Sequence, residues 1–167
     1  MKLMREKKQL NKEIAQHWMD CISAGAVDAI CAITSEDWIM HGIPFSIPAG
    51  PEGIRALFAS FGKIEQCWTV NQIIAEDDKV VVYATNHCLQ ENFLGIPSHG
   101  KEQVFTATFI HRISNGEIAE TWRNADDLGR VLQLGSRIVP VKNGDDHRNG
   151  EGYLFAKTMH LLKTIKD

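Results

Sequence analysis

Val104-Phe105-Thr106-Ala107-Thr108-Phe109-Ile110-His111-Arg112-Ile113-Ser114-Asn115-Gly116-Glu117-Ile118-Ala119-Glu120-Thr121-Trp122-Arg123-Asn124-Ala125-Asp126 is the stretch on which the fold turns. Its first half, Val104–Ile113, is dense in β-branched and aromatic residues, which suit a pleated, half-buried surface. Asn115-Gly116 is the dipeptide favoured in tight hairpin turns, where both central residues need positive φ. Glu117–Asp126 then returns as an antiparallel strand. Trp122 and Asp126 lie four apart, so on a regular strand they share a face. The expectation is an indole and a carboxylate looking into one space. His111 shares its face with Phe105, Ala107, Phe109 and Ile113, the more apolar side of its strand. Counting outward from the turn pairs Ser114 with Glu117 and His111 with Glu120. His111 and Asp126 then approach each other only through strong curvature, a bulge or a ligand lying between them.

Upstream of this hairpin, Thr69–Ala75 and Lys79–Leu89 read as two more strands joined at Asp77-Asp78. Before them come helices. Leu3, Leu10, Ile14, Trp18 and Ile22 recur at helical spacing over residues 3–24, and Gly25 supplies a stop. Ala26–Ile33 is a second, short helix, and Trp38–His41 a short strand. Pro51 opens a third helix carrying Ile54, Leu57, Phe58 and Phe61, closed by Gly62. Downstream, Asp127–Gln133 looks helical. Residues 142–151 are a polar, Gly-containing linker, and 152–167 a helical tail with Phe155, Met159 and Leu162 as its apolar stripe. Helices followed by a meander of long strands make an α+β domain over residues 1–141, with helices on one face of a curved antiparallel sheet.

The chain has 167 residues, is 44% hydrophobic and carries a formal charge of -3, enough for one cored domain and too acidic for a nucleic-acid binder. The N-terminal Lys2, Arg5, Lys7, Lys8 and Lys12 are interrupted by acids and apolar residues, as on a solvated helix face. No apolar run approaches the about 20 residues of a membrane span, and no secretory signal opens the chain. Cys21, Cys31, Cys67 and Cys88 lack metal or redox spacing, so reduced thiols in a cytoplasmic setting are expected. Neither metal-ligand spacing nor a glycine-rich phosphate loop is present, and no cofactor is expected.

Asp37-Trp38-Ile39-Met40-His41-Gly42, Gly50-Pro51-Glu52-Gly53-Ile54, His87, Phe93-Leu94-Gly95-Ile96-Pro97-Ser98-His99-Gly100-Lys101, His111-Arg112, Asn115-Gly116-Glu117-Ile118 and Trp122-x-x-x-Asp126 with Gln133-Leu134-Gly135 occur in an order that resembles the SnoaL-like polyketide cyclase (ester cyclase) family. That family belongs to the nuclear-transport-factor-2-like superfamily, whose helices close the concave side of the sheet into a cone-shaped pocket. The resemblance covers roughly residues 10–136. It implies ring closure by intramolecular aldol condensation on a polyketide methyl ester, without metal or cofactor. It places the acid–base role on Asp126 and an assisting role on His111. This chain departs from the pattern in three ways: extra length between His87 and Phe93, an added His99 before Gly100-Lys101, and the tail after Val141.

Each candidate has a plainer reading. Asp126 could cap the helix of Asp127–Gln133, a common role for Asp; as a base it would need burial beside apolar walls to raise its pKa. His111 could be a core histidine with one satisfied hydrogen bond, or a donor to an enolate oxygen. Trp38, His41, Phe58, His87 and Trp122 are candidates for lining the pocket, although Trp38 and His41 have opposite parity and at most one points inward. The leading expectation is a cofactor-free cyclase or isomerase taking a small, apolar, carbonyl-rich ligand. An epoxide hydrolase would instead need an inward Arg112 near Asp126. A non-catalytic binding or interaction module would have its cone filled by bulky side chains. Self-association, as a dimer or higher homo-oligomer, is expected from the open face of the sheet.

Overall fold

The computed structural model describes residues 2–43 and 45–137; the linker and tail of residues 142–167 lie outside them. Three helices precede most of the sheet: α1 (Lys2–Ser23), α2 (Val27–Ala32) and α3 (Gly50–Ser60), with β1 (Thr34–His41) between the second and third. The strands β2 (Ile64–Glu76), β3 (Lys79–Gln90), β6 (Gln103–Ser114) and β7 (Glu117–Ala125) follow, with a small ribbon of β4 (Asn92–Phe93) and β5 (Ile96–Pro97) inserted before β6. A short helix, α4 (Asp127–Gln133), closes the described chain.

The sheet order is β1-β7-β6-β3-β2. All neighbours are antiparallel except β1, which runs parallel to β7. The α+β expectation therefore holds, with the sheet mixed rather than purely antiparallel. A strand entering from a helical crossover can join β7 in parallel, whereas hairpin-linked strands cannot. β1 is also longer than the Trp38–His41 read from hydrophobicity, because Thr34–Asp37 lacks an apolar pattern and is held by pairing with β7. The ribbon of β4 and β5 is too short to leave a sequence signal.

Strict alternation on β3 and β6 builds the concave wall. Val80, Val82, Ala84, Asn86, Cys88 and Gln90 are buried on β3, and Gln103, Phe105, Ala107, Phe109, His111 and Ile113 on β6. Directly opposed residues such as Ala84 and Ala107 belong to one face. α1 lies across this wall against β2, β3 and β7, burying Ala15, Trp18, Met19 and Ile22. Of the apolar stripe read from residues 3–24, Ile14, Trp18 and Ile22 face inward, whereas Leu10 is exposed.

One irregularity decides the chemistry. The turn at Asn115-Gly116 has φ values of 53° and 84°, the tight hairpin conformation, and Ser114 pairs with Glu117 as counted. Then the register shifts between Ile113 and Arg112: Ile113 opposes Ile118, but Arg112 opposes Glu120 and His111 opposes Thr121. Ala119 is the extra residue, and both Ile118 and Ala119 are buried. A bulge of one residue turns every later side chain to the other face. Thr121, Arg123 and Ala125 therefore join the concave side, opposite His111, Phe109 and Ala107. Trp122 goes to the convex side.

Candidate functional site

The cone has two ends with different chemistry. At the narrow end His111 is fully buried. Its ring meets Trp18 edge-on at 4.8 Å and stacks with Phe109 at 6.0 Å. Trp38 Nε1 donates to Thr121 Oγ1 at 3.0 Å, and the same hydroxyl lies 3.0 Å from His111 Nδ1. The Thr121 hydroxyl, with one proton and two lone pairs, serves either tautomer of His111 while it accepts from Trp38. His111 Nε2 and Trp18 Nε1 are buried without hydrogen-bond partners. Burial alone pushes the His111 pKa down to about 3, so the ring is neutral at physiological pH. This is the core-histidine arrangement, one bond satisfied.

Asp126 ends up elsewhere. It is exposed and stands at the N-cap of α4, where Oδ1 accepts from the Gly129 backbone N–H at 2.8 Å. A Cβ on Gly129 would collide with that carboxylate as it stands, so a larger residue there would have to displace the Asp126 side chain. Oδ2 accepts no hydrogen bond from the described residues. The expected burial of Asp126 beside Trp122 is not met, because the bulge carries Trp122 to the convex face and the helix claims the carboxylate. Nor are Asp126 and His111 together. Asp126 N–H donates to Thr106 O at 3.0 Å, and Thr106 lies five positions before His111 on β6, roughly 16 Å at about 3.3 Å per residue.

The remaining candidates divide by face. Trp38 is fully buried in the cone and Phe58 packs against its core. His41 and Trp122 are convex: their rings stack at 5.2 Å, and His41 Nε2 meets Glu120 Oε1 at 2.8 Å. Arg112 also points outward and donates to Glu120 Oε2 at 3.0 Å. Glu120 is held below the usual carboxylate range by these bonds, His41 first and Arg112 second. His87 is exposed, 3.5 Å from Glu102. Neither His41, His87 nor Trp122 lines the cone, because even-numbered positions of β3 face inward and His87 is odd.

Sequence reading missed the mouth, the end of the cone under α4. Arg130 is buried there between the rings of Phe93, 3.6 Å from its guanidinium carbon, and Phe105, 4.4 Å away. Its Nη2 donates to Gln90 Oε1 at 2.9 Å, Gln103 Oε1 at 3.2 Å and Cys88 Sγ at 3.4 Å. The Gln133 amide pins α4 to β6 by bonding both the N–H and the carbonyl of Val104. Asn86 donates to Gln66 Oε1, which also receives Trp68 Nε1. Two atoms of this wall are buried and unpartnered, Asn86 Oδ1 and Arg130 Nε. A lone Arg on a short helix normally reads as solvent-facing, and its spacing of four from Asp126 was the one available clue.

Aromatic packing fills the middle of the cone: Trp68 meets Phe105 at 5.6 Å and Phe109 at 5.3 Å. Two concavities of the described residues lie outside it. One of about 580 Å³ runs along α1 past Arg5, Lys8, Lys12 and Ala75. The other, about 250 Å³, is lined by Lys63, Glu65, Leu89, Glu91, Ser98 and Gly100. All four cysteines are free thiols, and among the described residues no helix is long and apolar enough to cross a membrane.

A cone of helices on a curved mixed sheet is the nuclear-transport-factor-2-like architecture. The family model for SnoaL-like polyketide cyclases matches residues 12–134. The chain belongs to that family. No curated protein sequence matches it. Among solved structures, TsrD from Streptomyces laurentii is similar at 24% identity and a TM-score of 0.68, covering 78% of this chain and 98% of its own. A polyketide-cyclase candidate from Bacillus cereus aligns at 23% identity and a TM-score of 0.64, covering 75% of this chain and 80% of its own. An LEH-like epoxide hydrolase from M. tuberculosis aligns at 13% identity and a TM-score of 0.63, over 77% of this chain and 91% of its own. At these identities the structures establish the fold alone.

Proposed function

We propose that the protein is a cofactor-free enzyme of cyclase or isomerase type, acting by acid–base chemistry on a small carbonyl-rich molecule admitted at the mouth of the cone. The observation that carries this reading is the pair of unsatisfied buried atoms there, a donor at Arg130 Nε and an acceptor at Asn86 Oδ1. Each orphan costs about 1–3 kcal/mol while unpaired. A guest offering a keto oxygen to the first and an enol hydroxyl to the second removes both costs. Asp126, at the rim where α4 begins, keeps Oδ2 free to take a proton.

In the proposed reaction Oδ2 removes a proton from a methylene flanked by two carbonyls, and the buried positive charge of Arg130 favours the enolate that forms. The enolate carbon then bonds to a second carbonyl carbon of the same molecule. That carbonyl oxygen becomes an alkoxide and recovers the proton from Asp126, so the substrate is isomerised with nothing gained or lost. A docked guest would also strip water from Asp126, supplying the desolvation its exposed position lacks. His111 takes no part; it holds the narrow end together.

Asp126→Asn tests the reading because asparagine caps a helix as well as aspartate does but is no base. The expected result is unchanged folding and guest affinity with turnover reduced about 100-fold or more. Full turnover in Asp126→Asn would remove Asp126 from the reaction. A second reading, a binding or interaction module without catalysis, is favoured by the aromatic packing of Trp68, Phe105 and Phe109 that fills the middle of the cone and by the exposure and capping duty of Asp126; guest binding with no turnover in the native protein selects it. The epoxide-hydrolase reading is not adopted, because Arg112 is convex and among the described residues no Asp or Glu is buried. Self-association through the convex face, where Tyr83, Leu89 and Val104 are exposed, belongs to the same proposal. Light scattering that finds only monomers would end that part.

A further inference from the structure

Among the described residues Arg130 is the only buried side chain that carries a charge at neutral pH. Taking a guanidinium out of water costs several kcal/mol, and a carboxylate held at two points is the usual compensation. None is present. The partners are two side-chain amides and a thiol, all on Nη2, together with the faces of Phe93 and Phe105. Nε has no partner. The acid whose charge reaches it, Asp127, is already clasped at two points by Arg123, at 2.7 and 2.8 Å. Burial lowers the Arg130 pKa from its ordinary value, and the opposing influence of Cys88 and Asp127 does not restore it.

Building on the mouth-of-the-cone reading, we infer that Arg130 is an anion anchor and that the guest is a free oxo acid whose carboxylate pairs with it. The carboxylate, rather than a keto oxygen, would take Nε, and its second oxygen would take Nη2 on the same edge of the guanidinium in exchange for one of that nitrogen's contacts with Gln90, Gln103 or Cys88. The keto end of the guest would then extend toward Asp126, one helical turn back on α4. The methyl esters implied by the family resemblance would leave Nε without an ionic partner, so the substrate class differs from them. Phe93 rides on the two-stranded ribbon of β4 and β5, which is joined to β6 only through residues 98–102. Access to the guanidinium edge would require that ribbon to move outward.

The test compares 4-oxo-4-phenylbutanoate with its methyl ester on the full-length protein, by calorimetry and by the NMR resonance of the Arg130 side-chain Nε–H. The acid is expected to bind about ten-fold or more tightly than the ester and to shift that resonance. Arg130→Met should remove the preference, leaving acid and ester with the same affinity to within about two-fold. Arg130→Lys should recover part of the preference, because an ammonium keeps the charge but not the fork. Ester binding as tight as acid binding overturns the inference and leaves the function proposed above standing. Acid preference surviving in Arg130→Met overturns it as well. Binding by neither probe sinks both. If Arg130→Met fails to fold, the native protein still decides: acid binding without movement of the Nε–H resonance refutes the anchor.

Discussion

The narrow end and the mouth of the cone are built from the same two strands, β3 and β6, yet they solve opposite problems. At the narrow end the inward residues are Val80, Val82, Phe109, His111 and Ile113, closed over by Trp18 and Trp38. The one titratable group there is uncharged, and its bond to Thr121 ties β6 to β7 and, through Trp38, to β1. At the mouth the same alternation delivers Asn86, Cys88, Gln90 and Gln103, with a guanidinium set among them by α4. An apolar end with a neutral ring is a stable core. Each end keeps two buried polar atoms unpaired, Trp18 Nε1 and His111 Nε2 at the narrow end and Asn86 Oδ1 and Arg130 Nε at the mouth, but only the mouth adds a buried charge to that cost. The chemistry proposed above lies at the mouth, away from His111.

The contrast can be broken most severely at Trp18. Trp18→Ala empties the narrow end and should cost about 3–5 kcal/mol in denaturant unfolding. A loss under about 1 kcal/mol would mean that the end is not close-packed.

The next effect is acid sensitivity. His111 is depressed to about 3 in the fold and returns to about 6.5 when unfolded. Below pH about 6.5 the unfolded chain therefore binds a proton that the native state refuses, and stability falls by up to about 1.4 kcal/mol per pH unit until about pH 3. The contribution is complete above the unfolded value and is lost on acidification. His111→Phe should flatten the slope between pH 6.5 and 4.5 relative to the native protein, which isolates this group from carboxylates such as Glu120 that also titrate in acid. Identical slopes would show that His111 is hydrated.

The smallest effect lies at the rim. Asp126→Ala should lose about 1 kcal/mol through the cap, and Asp126→Asn only a few tenths. Equal losses would mean that the bond to Gly129 contributes nothing.

Much of this was legible residue by residue. Alternation along Val104–Ile113 put His111 on the apolar face, and that is where it lies. Asn115-Gly116 marked the turn with the right pairing at Ser114 and Glu117. Opposite parity separated Trp38 from His41, and the structure sends the first inward and the second outward. The plainer readings of Asp126 as a cap and His111 as a core residue were both present in the sequence. Their relative weight was not, since that depended on one register shift.

Local pattern by itself settled the helices of the described residues, the hairpin, the family and most of the long strands, with β2 starting at Ile64 rather than at the expected Thr69, because periodicity and turn chemistry act over a few neighbouring residues. Tertiary structure alone decided which face each functional side chain occupies. The bulge at Ala119 is a long-range compromise between the turn at Asn115-Gly116 and the pairing of β7 with β1, and no single residue announces it. Arg130 belongs to the same class. Its burial follows from α4 folding back onto β6 through Gln133 and Thr106, contacts between residues far apart in the chain, whose energy appears only once the sheet exists.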